Sequence, residues 1–351
     1  MKKDIEVKYD MELNRRMKEL PEFATDFILS LENNTSIRTR IAYCKDLSIY
    51  LRFLLDEVEL RSKRLVLELK IEDIKDIDEK TVRHFLSYLN YYTVEYKSVS
   101  GNIVRQSYSN SNQGKNRKLS TLKTFYKYLS RVYGAHDPTR YIDIKINNKI
   151  EIKNSLNGGD IDKLIRVIMS DLNHVSLKEK EYHLKLKSRN ANMVLILAFT
   201  GIRVSELISL DIQDIDIEES TFIVTRKGGN QEKLYLSNEI LPYLKDYIEE
   251  RKLLLNVKME YKDALFLSSQ RKRISSRQVG AILNKYARYV GLDEITPHTL
   301  RRSFGMALYN QSKDIQLTAD ILGHSTTETT RRFYAKPTEE RIKMTLRKFS
   351  Y

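Results

Sequence analysis

The chain has 351 residues and carries 61 Lys and Arg against 47 Asp and Glu, a formal net charge of +14. That length allows one large domain or two ordinary ones, and the charge favours a polyanionic partner, nucleic acid foremost. A lone cysteine, Cys44, excludes an internal disulfide and a thiolate zinc cluster. The opening residues M-K-K-D-I-E-V-K-Y-D lack the apolar stretch of a signal peptide, and no run approaches the length of a membrane span. A cytoplasmic, nucleoid-associated protein with no membrane partner is expected.

Helical periodicity dominates the first half. Residues 35–57 place Ile37, Ile41, Cys44, Leu51 and Leu55 on one face, with Thr35 or Ser36 able to cap the start. Asp78 can cap a helix in which Val82, Phe85, Leu86 and Leu89 recur at helical spacing. Residues 97–114 are rich in Ser, Asn and Gly and read as a long loop or a short hairpin. Over 116–133, Leu119, Leu122, Tyr126 and Leu129 alternate with basic residues, and Gly134 can end that helix. Composition turns polar over 145–159, which marks a linker.

The second half predicts helices at about 160–171 and 191–199, then a helix carrying Arg203 and Glu206. Residues 221–226 and 232–236 suit strands, with Gly228, Gly229 and Asn230 as the turn between them. Helices follow to the end. The fold class expected is mainly α with a small β-sheet in the second domain. The boundaries expected are a helical domain at 1–148, a linker at 149–159 and a second domain at 160–351.

Basic residues recur through that second domain. Arg203 lies in T-G-I-R-V-S-E-L, Lys227 in T-R-K-G-G-N, and His298 and Arg301 in T-P-H-T-L-R-R-S-F. His324 and Tyr334 lie in L-G-H-S-T-T-E-T-T-R-R-F-Y. Arginine offers a planar, always-charged fork that matches two phosphate oxygens. His298 stands three residues before Arg301, one helical turn away, so both can face one point. Glu206, three residues after Arg203, could hold that arginine or His298. A lysine at a hairpin tip can protonate a leaving oxygen. Tyr334 is one of 22 tyrosines, and it needs a positive field to attack as phenolate. The inventory suits phosphodiester transfer without a metal.

The order Arg, Lys, His-x-x-Arg, His, Tyr resembles the tyrosine recombinases, also called the phage-integrase family. The motif-bearing similarity runs from about 160 to 351, and a weaker one to the SAM-like core-binding domain covers 20–133. The resemblance implies a two-domain, C-shaped clamp on duplex DNA bearing a specific recombination site. It implies that Arg203, Lys227, His298, Arg301 and His324 serve the phosphate, and that Tyr334 forms a 3′-phosphotyrosyl link and frees a 5′-hydroxyl. It further implies a Holliday junction within a synaptic homo-tetramer, with a monomer or weak dimer away from DNA. Bond energy is conserved in the covalent link, so no cofactor, metal or ATP is expected. The role would be chromosome or plasmid resolution, or movement of a mobile element.

Two positions depart from the commonest pattern. His324 and Tyr334 are ten residues apart rather than nine, and Arg302 replaces the histidine that ends H-x-L-R-H. The competing readings are a type IB topoisomerase, which shares the chemistry but rejoins the same strand, and a DNA-binding regulator that does not use the site. A basic scaffold or RNA-binding protein would explain the charge but not the motif series. Beyond Tyr334, Ile342, Leu346 and Phe349 form an apolar stripe suited to docking on a neighbouring subunit, a C-terminal exchange helix.

Overall fold

The computed structural model describes residues 2–57, 65–97, 101–144, 155–172, 175–226, 228–323 and 330. The chain divides into two compact units, Met1–Lys149 and Ile150–Tyr351. Among the described residues no helix is long and apolar enough to cross a membrane.

The first unit is built from α1 (Lys2–Met17), α2 (Glu22–Ser30), α3 (Ile37–Glu57), α4 (Ile71–Ile74) and α5 (Glu79–Tyr88). A hairpin follows, β1 (Tyr92–Lys97) and β2 (Ile103–Tyr108), and then α6 (Asn112–Tyr133). Ser36 caps α3, its hydroxyl accepting the Thr39 amide at 3.3 Å. Asp78 caps α5, accepting the Thr81 amide at 2.8 Å. Gly134 ends α6 with a left-handed φ of 65°. The core gathers Phe27, Tyr50, Phe53, Phe85, Phe125 and Tyr126, all without solvent exposure. Cys44 is buried among them. The two buried phenols, Tyr50 and Tyr126, satisfy each other at 2.6 Å.

The hairpin decides between the two readings of 97–114, long loop or short hairpin, and adds two strands to a first domain expected to be helical. Y-T-V-E-Y-K pairs in antiparallel register with I-V-R-Q-S-Y, from Tyr92 opposite Tyr108 to Lys97 opposite Ile103. The polar reading of 97–114 began too late: the β-branched and aromatic residues that make the first strand precede Lys97. The following helix also starts earlier than predicted, because Ser111 caps it by accepting the Gly114 amide.

The second unit opens with α7 (Gly158–Met169), α8 (Leu177–Leu184), α9 (Lys187–Thr200) and α10 (Val204–Ser209). A three-stranded antiparallel sheet follows, β3 (Ile215–Asp216), β4 (Thr221–Thr225) and β5 (Gln231–Tyr235), in the order β3-β4-β5. The described elements end with α11 (Leu241–Lys252), α12 (Ser276–Tyr289), α13 (Pro297–Ser312) and α14 (Ile315–Leu322). Helix α9 opens with polar residues but is buried along nearly all its length, with Ala191 and Met193 to Ala198 in the core. It packs against α7, α11 and α13.

Helix α8, absent from the sequence reading, is polar and buries only His183. That imidazole bridges Ser170 O at 2.7 Å and Tyr286 Oη at 2.9 Å, and the same hydroxyl accepts from Asn190 at 3.0 Å. The network satisfies every buried polar atom it contains, so His183 is a structural histidine.

Candidate active site

Arg203 does not lie within a helix, as the sequence had suggested. Helix α9 stops at Gly201, whose φ of 61° is left-handed. Arg203 then takes an extended conformation as the N-cap of α10. Glu206, in the first turn of α10, folds back on it. One Glu206 oxygen accepts the Arg203 amide at 2.8 Å, and the other accepts Arg203 Nη1 at 2.8 Å. Glu206 is 2% exposed and Arg203 34%, so the carboxylate is inside and the guanidinium reaches the surface.

Arg301 projects from α13 and is 4% exposed. It donates to Gly201 O at 2.7 Å and to Leu322 O at 2.5 Å. Arg203 donates its other arm to Gly323 O at 2.8 Å. A third arginine joins them. Arg226, directly after β4, donates to both oxygens of Glu232 at 2.6 and 3.2 Å and to Glu206 at 3.0 Å. It also reaches Ile321 O at 3.1 Å.

The consecutive carbonyls of Ile321, Leu322 and Gly323 therefore accept from three arginines held on three separate elements. A helix leaves its last carbonyls without intrahelical partners and carries partial negative charge there, so cations are drawn to that end. Gly323 ends α14 with φ 63°, and a Cβ there would stand 2.8 Å from the Arg226 guanidinium carbon. Only glycine lets the chain turn this close to the cation. Among the described residues three guanidiniums face two carboxylates, Glu206 and Glu232, which leaves a positive surplus in this cluster.

His298 sits in the first turn of α13, one turn from Arg301, and its side chain is exposed. Partial desolvation first, then the charges of Arg302 and Arg301, lower its pKa from the ordinary 6.5. The imidazole is neutral at pH 7, able to accept a proton or to donate one hydrogen bond. The structure thus draws Arg203, Glu206 and Arg301 together at the end of α14 and sets His298 on the helix that carries Arg301. Lys227, His324 and Tyr334 lie outside the described residues. Lys227 directly follows Arg226 in sequence, and His324 directly follows Gly323.

Sequence reasoning passed over Arg226, yet a signal was present. Strand β4 buries Phe222 and Val224 and exposes Ile223, so period-two alternation puts residue 226 on the inward side. An inward arginine requires carboxylates, and both Glu206 and Glu232 supply them.

Residues 169–341 match the phage integrase family. The chain is 27% identical over 304 residues to the tyrosine recombinase XerC of Roseiflexus sp. (strain RS-1), covering 86% of this chain and 84% of that one. It is 26% identical over 332 residues to the tyrosine recombinase XerS of Streptococcus thermophilus, covering 89% and 90%. Two solved structures share the fold. The Tn1549 transposon integrase, in complex with a circular intermediate DNA, superposes with a TM-score of 0.67 at 17% identity, over 93% of this chain and 99% of that one. The XerH site-specific recombinase, bound to its palindromic difH substrate, gives 0.62 at 22% identity, over 88% and 78%.

The chain carries a phage integrase family domain and is similar to tyrosine recombinases over most of its length. It is an enzyme of DNA strand transfer, acting in site-specific recombination.

Proposed function

We propose that this recombinase cuts each strand of a specific duplex site by attack of the Tyr334 phenolate on the scissile phosphate. A new P–O bond joins tyrosine to the 3′ side, and the bond from phosphorus to the 5′-oxygen breaks. Lys227 gives the leaving oxygen a proton, which frees a 5′-hydroxyl. His298 in its neutral form takes the phenol proton. Arg203 and Arg301 bind the non-bridging oxygens as negative charge grows there, each such donor being worth roughly 3–4 kcal/mol in the transition state. Glu206 positions Arg203, and His324 donates a further hydrogen bond. A 5′-hydroxyl from the partner duplex then attacks the phosphotyrosyl link, which reverses the first step on a new strand and passes through a Holliday junction. No metal or ATP takes part in either step.

The observation that carries this reading is the arginine cluster at the end of α14. It leaves a positive surplus at positions adjacent in sequence to Lys227 and His324, and an anion with two free oxygens is the ligand it fits. We assign residues 1–148 to a core-binding domain and 160–351 to the catalytic domain, joined by a linker over 149–159, with duplex DNA as the ligand of both. A homo-tetramer on paired sites is the active assembly, with the segment beyond Tyr334 docking on a neighbour. The similarity to XerC and XerS favours short sites and resolution of replicon dimers in the cytoplasm.

Tyr334→Phe is expected to keep site binding and lose covalent attachment. Trapping on a nicked suicide duplex, beside a band-shift titration, measures both. A covalent complex of normal yield in the variant moves the nucleophile elsewhere.

A further inference from the structure

Arg226 stands outside the motif series, yet it is more firmly held than the motif arginine Arg203. Its side chain is 9% exposed and joins Glu206, Glu232 and Ile321 O. Its backbone also closes the turn between β4 and β5. The Arg226 amide donates to Asn230 O at 2.8 Å, and the Gly229 amide donates to Arg226 O at 3.0 Å.

The two sides of position 227 differ sharply. On the C-terminal side come Gly228 and Gly229, with φ of 101° and 92° and open space where a Cβ would stand. Such a pair permits a wide range of backbone conformations. On the N-terminal side the chain enters the turn from a residue fixed by both its backbone and its guanidinium. The Arg226 anchor is shared with the site as well: the oxygen of Glu206 that accepts from Arg226 also accepts the Arg203 amide. Ile321 O is the neighbour of the carbonyls that hold Arg301 and Arg203.

We propose that Arg226 is the positioning residue for Lys227, pinning the entry to the β4–β5 turn onto Glu206 and the end of α14. The backbone that enters position 227 is thereby tied to the arginine clamp at Arg226, and the two glycines beyond leave the turn its conformational range. This rests on the reading of Lys227 as the general acid. Ion pairing alone would not require the arginine at this place; a cation anywhere near Glu206 and Glu232 would neutralise them. The placement next to the lysine, at the closing residue of a glycine turn, is what ties it to proton delivery.

The test uses the full-length protein and suicide duplexes with either oxygen or sulfur at the bridging 5′ position. A sulfur leaving group departs as thiolate and takes no proton, so a defect in proton delivery vanishes with it. Arg226→Gln is expected to slow cleavage of the oxygen substrate by roughly 10²-fold, as loss of a well-placed acid does, and to recover to within several-fold on sulfur. Lys227→Ala should show the same pattern.

Equal slowing of Arg226→Gln on both substrates, beside recovery of Lys227→Ala, overturns the positioning role and assigns Arg226 to the phosphate clamp. Failure of Lys227→Ala to recover removes the acid itself, and the proposal falls with it. Glu232→Gln covers the case in which Arg226→Gln does not fold, since Glu232 is 38% exposed and its loss leaves Glu206 in place. A smaller defect on oxygen that sulfur relieves supports the proposal; no defect, or one equal on both substrates, refutes it.

Discussion

Each unit of this protein buries a carboxylate against arginine, and the two sites are built to different ends. In the first unit Asp46 on α3 is 2% exposed and accepts both arms of Arg117 on α6, at 2.5 and 2.6 Å. Thr121, one turn further along α6, adds a third bond at 2.8 Å. One anion meets one cation in a bidentate fork, and the charges cancel. The result is a bolt between two helices. In the second unit Glu206 is equally buried but meets two arginines, and a third guanidinium lies along the same three carbonyls. Charge is left over, and it is fixed by hydrogen bonds rather than by mobile surface chains. A balanced pair joins elements; an unbalanced, rigid cluster can also recruit and stabilise an external anion.

Substituting one arginine in each cluster should separate the two purposes. Arg301→Ala is expected to cut the cleavage rate on a suicide duplex by roughly 10²–10³-fold. Site binding, which many other basic residues support, should weaken far less. Arg117→Ala strands Asp46 in the interior, which costs about 3–5 kcal/mol for a fully buried pair. Arg117 is 54% exposed, so partial hydration already weakens the pair and places the loss near the low end, about 3 kcal/mol. Thermal melting and cleavage at saturating DNA, measured on both variants, decide the matter. A stable but inactive Arg117→Ala, or an active but unstable Arg301→Ala, would invert the comparison.

Two left-handed glycines offer a smaller and cleaner contrast. Gly134 after α6 and Gly201 after α9 have nearly the same φ, 65° and 61°. A Cβ at Gly134 meets nothing within 4 Å, whereas one at Gly201 would lie 2.4 Å from Phe304 and 2.9 Å from Leu322. Gly134→Ala should cost only the left-handed penalty, about 1 kcal/mol. Gly201→Ala adds overpacking of about 1–3 kcal/mol. It also displaces Leu322, whose carbonyl holds Arg301, so cleavage should fall as well. Denaturant midpoints of the two variants check the stability difference; equal losses would show that the crowding at Gly201 relaxes freely.

The smallest expected effect is a shift in pH dependence. In the proposed mechanism His298 takes the proton in its neutral form, and its folded pKa lies below its unfolded value near 6.5. Its contribution to stability is therefore constant above about pH 6.5 and declines as pH falls through the window below that value. The acid limb of the cleavage profile should lie in the same window. Arg302→Gln removes one of the two charges that oppose protonation, so the His298 pKa should rise and the acid limb move to higher pH. Single-turnover rates between pH 5 and 8 on both proteins (roughly the span in which histidine titrates) test this. An unmoved limb would detach His298 from the rate.

Much of this protein could be read before its structure. Apolar periodicity located α3, α5 and α6, because a helix face that meets a core must repeat near every fourth residue whatever lies opposite. Caps at Ser36 and Asp78 and the stop at Gly134 are local chemistry, written within a few residues of where they act. The order of the motif residues marked the family. Glu206 was named as a support, with its partner left open between Arg203 and His298.

The choice of Arg203, and the addition of Arg226, belonged to the tertiary structure. Which arginine reaches which carbonyl depends on α9, β4, α13 and α14 converging from positions up to 120 residues apart. No local pattern encodes that meeting. The β1–β2 hairpin stayed open against a long loop, with its first strand placed too late, and the polar helix α8 escaped; their side chains give weak periodicity, and it is pairing across strands or a buried histidine that holds them. Sequence alone determined the parts and the class of chemistry, since those follow from residue type and spacing. Packing alone decided that the charge around Glu206 is unbalanced and that Arg226 borders the lysine turn, because burial and partner count exist only once distant segments meet.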